Sequence, residues 1–230
     1  LAIANRILAH HGVLDEYGHV SARHPLDPGR FLLARDCCAA TVEPGDLIEF
    51  HLDGTPVGEE SRSLCAERFA HGAIYEARPD IHAVLCAGSD DVVPFSIAAI
   101  PFYPVIGPVG DMGPTVPVWD IGERFGDDTD VSISTRERGR DLAKRLGQHR
   151  VVLTRGTGFV ATGRTLNDVV RLSVYIPKNA RALATSLAFG DVRALSEGES
   201  RARLAIDPES NAMRRGWEYW AREAGCELWL

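Results

Sequence analysis

Apolar residues in the opening stretch LAIANRILAHHG recur at helical spacing, with Ile3, Ile7 and Leu8 on one face and Gly12 ending the run. The pattern predicts a helix over residues 2–11. Shorter β-prone runs follow at 19–23, 31–34 and 47–52, the last entering the turn DGTP, and predict an antiparallel, hairpin-type opening. Residues 64–77 read as a helix with Ser63 as N-cap, apolar Leu64, Ala70, Ala73 and Ile74, and Pro79 beyond its end. Glu67 then falls in the first turn.

A buried strand over 82–87 runs into a helix opened by Ser89, Asp90 and Asp91, whose oxygens suit the positive end of a helix. The segment FYPVIGPVGDMGPTVPVWDI is too rich in Gly and Pro for helix. A helix over 135–146, a strand over 151–153 and the tight RGTGFVATG come next. A long helix then starts from the T-x-x-D pair Thr165 and Asp168, and a final amphipathic helix over 208–224 carries Trp217, Tyr219 and Trp220. There is no repeat, low-complexity tract or linker, so the pattern predicts one domain over residues 1–230, a central mixed sheet with helices on both faces.

Composition narrows the partners. The chain has 230 residues, enough for one sizeable core, and a net charge of -7. With no basic cluster it fits neither nucleic acid nor an anionic membrane. No apolar run approaches the roughly 20 residues of a membrane span, and the amphipathic opening is unlike a signal peptide. Five cysteines form no C-x-x-C, which suits a reducing compartment and no structural disulfide. A cytoplasmic location is expected.

Several ordered motifs carry a family resemblance. ANRILAHHGVLDEYGHVSARHP looks like the opening helix and G-(N/H)-x-S-x-R strand of the class II aldolase/adducin family. ERFAHGAIYEARPDIHAVL is similar to its E-x-x-x-H helix and following strand, and VVLTRGTGFVATG with VYIPKNARAL resembles its late R-G-H-G turn and next helix. The resemblance implies a three-layer α/β/α fold with a central mixed, largely antiparallel sheet. It also implies a homotetramer with pockets between subunits, residues 103–118 lying near a neighbour.

Metal-dependent members of that family bind a divalent ion through a His-x-His at the strand end, the His of R-G-H-G, and a Glu at the helix head. Here Glu67 matches the Glu, but the three imidazole positions fall on Cys86, Gly88 and Thr157. Gly has no donor and Thr is a weak neutral one, so no family-type metal site and no cofactor are expected. Cys37 and Cys38, in the loop after FLLARD, offer a soft-thiolate alternative with Cys86. A Schiff-base route needs a lysine, and Lys144 and Lys178 both lie on helices away from the inferred pocket.

Glu67 is then the expected general acid/base, its pKa raised if desolvated, or else a first-turn residue that serves only the helix dipole. His19 in YGHVSAR is a second acid/base or a hydrogen-bonded strand-end residue. Arg35 ranks first for holding a substrate anion, with Arg23 and Arg155 either joining it or serving as structural ion-pair partners. Cys37, Cys86, Ser89 and Thr157 complete the expected substrate contacts. His71 and His82 are read as packing residues.

The expected function is a metal-independent, lyase-like enzyme on a small anionic oxygenated substrate, by aldol-type cleavage, decarboxylation, or a related isomerisation, dehydration or cyclisation. Without an ion the substrate must carry its own electron sink, such as a β-keto group or an activated ring. Two alternatives stand beside it: a non-catalytic, adducin-like binding or structural protein, and a thiol enzyme using Cys86.

Overall fold

Central strands that bury both faces organise this molecule. The computed structural model describes residues 1–229. Helix α1 (Ala2–His10) leads into strands β1 (His19–Arg23), β2 (Arg30–Ala34) and β3 (Leu47–His51), and α2 (Arg68–Ala77) then crosses to β4 (Ala83–Gly88). The chain continues through α3 (Val93–Ile97), β5 (Val118–Trp119), α4 (Gly122–Phe125) and α5 (Arg136–Leu146). The hairpin β6 (Val151–Thr154) and β7 (Gly158–Gly163) precedes the long α6 (Leu166–Leu187), followed by α7 (Glu197–Leu204) and α8 (Asn211–Glu223). The strand order is β3-β2-β1-β4-β7-β6-β5, antiparallel throughout except for the parallel β5–β6 pair.

Period-two alternation sends the sheet's side chains to two separate cores. Ala83, Leu85 and Ala87 of β4, Leu153 of β6 and Phe159 and Ala161 of β7 meet Ile7, Leu8, Val170, Leu183 and Ala221 from α1, α6 and α8. The intervening residues Val84, Cys86, Val152 and Val160 face Ile74, Tyr75, Leu142 and Leu146 of α2 and α5. The product is the expected three-layer α/β/α arrangement around a mixed, largely antiparallel sheet. α2 and α5 cross closely because Gly139 lacks a Cβ, which would sit 2.3 Å from the Phe69 carbonyl oxygen.

A buried ionic cluster pins the long helix to the sheet. Asp168 accepts from Arg150 Nη2 at 2.7 Å and Arg171 Nη2 at 3.1 Å, and both arginines also pair with Asp111. Thr165 caps α6 by accepting from the Asp168 N–H at 3.2 Å. The Asp168 carboxylate itself belongs to the ionic cluster and accepts from the Arg164 N–H at 3.1 Å.

Two helix starts differ from the sequence expectation. Helix α2 begins at Arg68, with Glu67 in the cap position. Ser63 does not cap it: the Ser63 hydroxyl reaches Asp36 at 3.3 Å and its carbonyl accepts the Asp36 N–H at 2.9 Å. Ser89 does not open a helix either. Its carbonyl closes a turn by accepting from Val92 and Val93, and the helix beyond is only five residues long. Asp91 is paired with Arg181 of α6. Helix α7, with its Ser196/Glu199 capping box, is an addition to the sequence-based map. Among the described residues no helix is long and apolar enough to cross a membrane.

Candidate active site

β1 and α2 face each other with matched polar stripes. His19, Ser21 and Arg23 repeat every second residue on one side of β1, and Glu67, His71 and Tyr75 repeat every fourth along α2. Two strand residues advance about 6.6 Å and four helix residues about 6 Å, so the stripes stay in register and interleave. Glu67 Oε2 lies 3.2 Å from His19 Nε2, and His19 Nδ1 lies 2.7 Å from His71 Nε2. His71 Nδ1 is 2.7 Å from Ser21 Oγ, which is 2.8 Å from the Tyr75 hydroxyl. Arg23 ends the row: its guanidinium stacks over the Tyr75 ring and donates to the carbonyls of Tyr75, Arg78, Ile81 and Pro28. That settles Arg23 as structural.

Proton positions follow from burial and partners. Burial opposes a charged His19, yet the sulfurs of Cys65 and Cys86 at its edge outweigh it and raise its pKa well above the ordinary imidazole value. The Glu67 carboxylate acts in the same direction. His71 is wholly buried and pushed well below its ordinary value, first by burial and then by the charge on His19. The 2.7 Å contact holds one proton between the two facing ring nitrogens, and the opposite shifts of the two rings favour its residing on His19, whose other nitrogen faces Glu67.

Glu67 does not show the expected raised pKa. Burial works upward, but the hydrogen bond and charge of His19 and the Ile133 N–H, which donates to Oε1 at 2.9 Å, hold it below the ordinary carboxylate value. Nor does its side chain cap its own helix, so helix-dipole support is not its main contact. One oxygen belongs to His19 and the other to the loop before α5.

The pair borders a cavity of about 640 Å³. Cys86 and Thr157 line it, as do Arg35 and Cys37, with Trp119, Phe159 and Val160 adding apolar wall. Arg35 is already engaged, its Nε donating to Asp46 Oδ1 at 2.7 Å. The Thr157 hydroxyl is 2.6 Å from Thr154 Oγ1. Burial pushes the Cys37 and Cys86 thiols up, while Arg35 opposes the shift at Cys37 and His19 opposes it at Cys86. Ser89 and Arg155 are not among the cavity residues, a correction to the expected set. Ser89 is drawn into its turn, and Arg155 is drawn outward by Asp120 at 2.6 Å. Lys144 and Lys178 do not line the cavity either.

Asp15 is a cavity residue that the sequence reading missed. Its Oδ1 accepts from the Tyr17 and Gly18 N–H groups, and its Oδ2 sits 2.9 Å from where a Gly88 Cβ would be. A carboxylate thus fills the space that Gly88 leaves open. With Glu16, Asp36, Glu67 and Asp130 also on the wall, the lining is acidic apart from Arg35 and His19. His71, read from the sequence as a packing residue, is buried as expected but also links His19 to Ser21, and the signal for that was the i, i+4, i+8 series Glu67, His71, Tyr75.

The family-type metal set does not fit these residues. Gly88 offers no side chain, the Thr157 hydroxyl is engaged with Thr154, and only Cys86 and Glu67 remain of the four positions. A different group, His19, His71 and Cys86, brings three ligand-type atoms within 4.8 Å of one another.

Comparison with known proteins agrees with this architecture. Residues 1–184 match the sequence profile of the Class II Aldolase and Adducin N-terminal domain. Decarboxylase tropJ of Talaromyces stipitatus is 29% identical over 94% of this chain and 90% of its own length. The 3,4-dihydroxyphthalate decarboxylase of a Terrabacter species is 25% identical over 89% of this chain and 87% of its own. Among solved structures, an aldolase II superfamily protein from Pseudomonas syringae superimposes with a TM-score of 0.78 at 22% identity, covering 97% of this chain and 90% of that one.

Proposed function

Because the chain belongs to the class II aldolase and adducin N-terminal domain family, we propose that it is a decarboxylating lyase that works through Glu67 and does not use the family's three-imidazole ion site. The relatives named as decarboxylases support a lyase-type enzyme. One observation carries the finer reading: Glu67 stands at the cavity wall, held between His19 Nε2 at 3.2 Å and the Ile133 N–H at 2.9 Å, with the His19–His71 imidazole pair directly behind it.

That arrangement suits protonation at carbon. The Glu67/His19 pair delivers a proton to the carbon bearing the substrate carboxylate. The bond to the carboxyl group then breaks, its electrons return to the substrate's own sink, and CO2 leaves. The pair regains its proton from solvent, so the net change is R–COO⁻ plus H⁺ to R–H plus CO2. A ring hydroxyl or β-keto group supplies the electron sink inside the substrate, and no lysine lines the cavity to supply one as a Schiff base.

A hydroxylated aromatic carboxylate fits these demands, as the dihydroxyphthalate relative suggests. Trp119 and Phe159 offer apolar surface to a ring. The acidic lining repels a bound carboxylate, and loss of CO2 relieves that repulsion. The same lining, with Arg35 tied to Asp46, disfavours a phosphate dianion. The open cavity also supports an enzyme over a non-catalytic, adducin-like protein. CO2 release from a panel of hydroxylated benzoates, phthalates and β-keto acids, run beside sugar phosphates, tests the substrate class. The expected result is CO2 from at least one acid and no cleavage of the sugar phosphates; the reverse would return the chain to aldol chemistry.

A further inference from the structure

Two imidazoles and a thiol meet under the cavity floor. His19 Nδ1 and His71 Nε2 are 2.7 Å apart, Cys86 Sγ is 3.8 Å from the same His71 nitrogen, and all three atoms lie within 4.8 Å of one another. Each ring is anchored through its other nitrogen, His19 Nε2 on the Glu67 carboxylate and His71 Nδ1 on Ser21 Oγ, itself held by Tyr75. Metal-binding imidazoles are supported in this way: one nitrogen faces the ion while the other is fixed by a carboxylate or another polar group. Among the described residues this is the group of His, Cys and carboxylate side chains gathered closely enough to hold an ion.

We propose that His19, His71 and Cys86 bind a borderline-soft divalent ion of the zinc class, with its fourth position open to the cavity. Two nitrogens and one sulfur are a donor set zinc takes readily, and three protein ligands leave room for water or substrate. His19 and Cys86 line the cavity, which gives the ion a way in, while wholly buried His71 closes the site from beneath. The site differs from the family-type set, since Gly88 and Thr157 take no part and both imidazoles come from β1 and α2.

Proton and ion are alternative occupants of one gap. Two zinc–nitrogen bonds at a tetrahedral angle hold their nitrogens about 3.3 Å apart, so the rings part slightly as the shared proton leaves. His19 and the Cys86 thiol each give up a proton on binding. The Glu67 contact of His19 uses the ring's other nitrogen, and metal uptake is read without turnover, so the inference stands whether or not the decarboxylase assignment holds.

The test uses the whole chain, purified without affinity tag or chelator. It is equilibrated with zinc or cobalt, desalted, and assayed by plasma mass spectrometry and electronic absorption. The expected result is near-stoichiometric metal in the wild type, with a thiolate-to-cobalt charge-transfer band in the cobalt form. Cys86→Ser should lose the band and bind at least about tenfold more weakly, while Cys38→Ser, at an exposed thiol, should keep both. A wild type that takes up no metal, or whose cobalt spectrum lacks the thiolate band, overturns the proposal even if Cys86→Ser fails to fold. Equal binding by wild type and a folded Cys86→Ser overturns it as well.

Discussion

Ser21 is the smallest member of the buried polar row and the one on which two others depend. Its hydroxyl serves both His71 Nδ1 and the Tyr75 hydroxyl, in a region where no water can substitute. Tyr75→Phe removes one hydrogen bond and leaves Ser21 still bound to His71, so a cost of about 1–2 kcal/mol is expected. Ser21→Ala strands two buried groups and should cost more. Urea unfolding of the two variants checks the ranking, and an equal or reversed order would contradict the row's connectivity. Glu67 and His19 were legible as chemistry because each sits in a recognisable motif. Asp15 was not, because its role depends on a gap at Gly88 that only the folded chain creates.

Elements were legible where one face was apolar. Strand β1 appears with its predicted bounds, and α1 and α5 begin or end within a residue of them. The failures lie where a polar group found a distant partner. Ser63 looked like an N-cap but bonds to Asp36 across the pocket loop, and that choice delays α2 until Arg68 and leaves Glu67 free to reach His19. Helix α7 buries little apolar surface, and its periodicity is correspondingly weak. The α2–α5 crossing was invisible in the sequence because it depends on one missing Cβ. Gly139→Ala forces a methyl against the Phe69 carbonyl, 2.3 Å from the new atom, and should separate the helices at a cost of about 1–3 kcal/mol. Thermal unfolding would show the loss. An unchanged midpoint would mean that the helices are not locked at this crossing.

At the scale of the whole molecule, the ionic cluster joins α6 to the sheet, and its acid sensitivity can be assigned a sign. Burial acts to raise the Asp168 carboxyl, but Arg150 and Arg171 outweigh it and hold it below its ordinary value. A carboxylate whose pKa is lower in the folded than in the unfolded chain stabilises above the unfolded value of about 3.9. That contribution disappears as pH falls through the lower folded value. Wild-type stability should therefore decline from about pH 5 downward, while Asp168→Asn, starting about 3–5 kcal/mol lower, should show a shallower decline. Denaturant unfolding across that range measures both slopes, and parallel slopes would remove Asp168 from the acid response. The sequence had offered Asp168 only as half of a capping pair, because Arg150 lies in the turn just before β6 and Arg171 on the next turn of the same helix.

The central claim is that Glu67 handles the proton in a CO2-releasing reaction. Its most direct test is CO2 evolution by Glu67→Gln beside wild type, on the acid of the panel that turns over fastest, with circular dichroism and unfolding midpoint recorded for both. A fall in turnover on the order of 100-fold or more, with the fold retained, is the predicted result. A folded Gln variant that releases CO2 as fast as wild type, or a wild type that releases none from any acid of the panel, would contradict it.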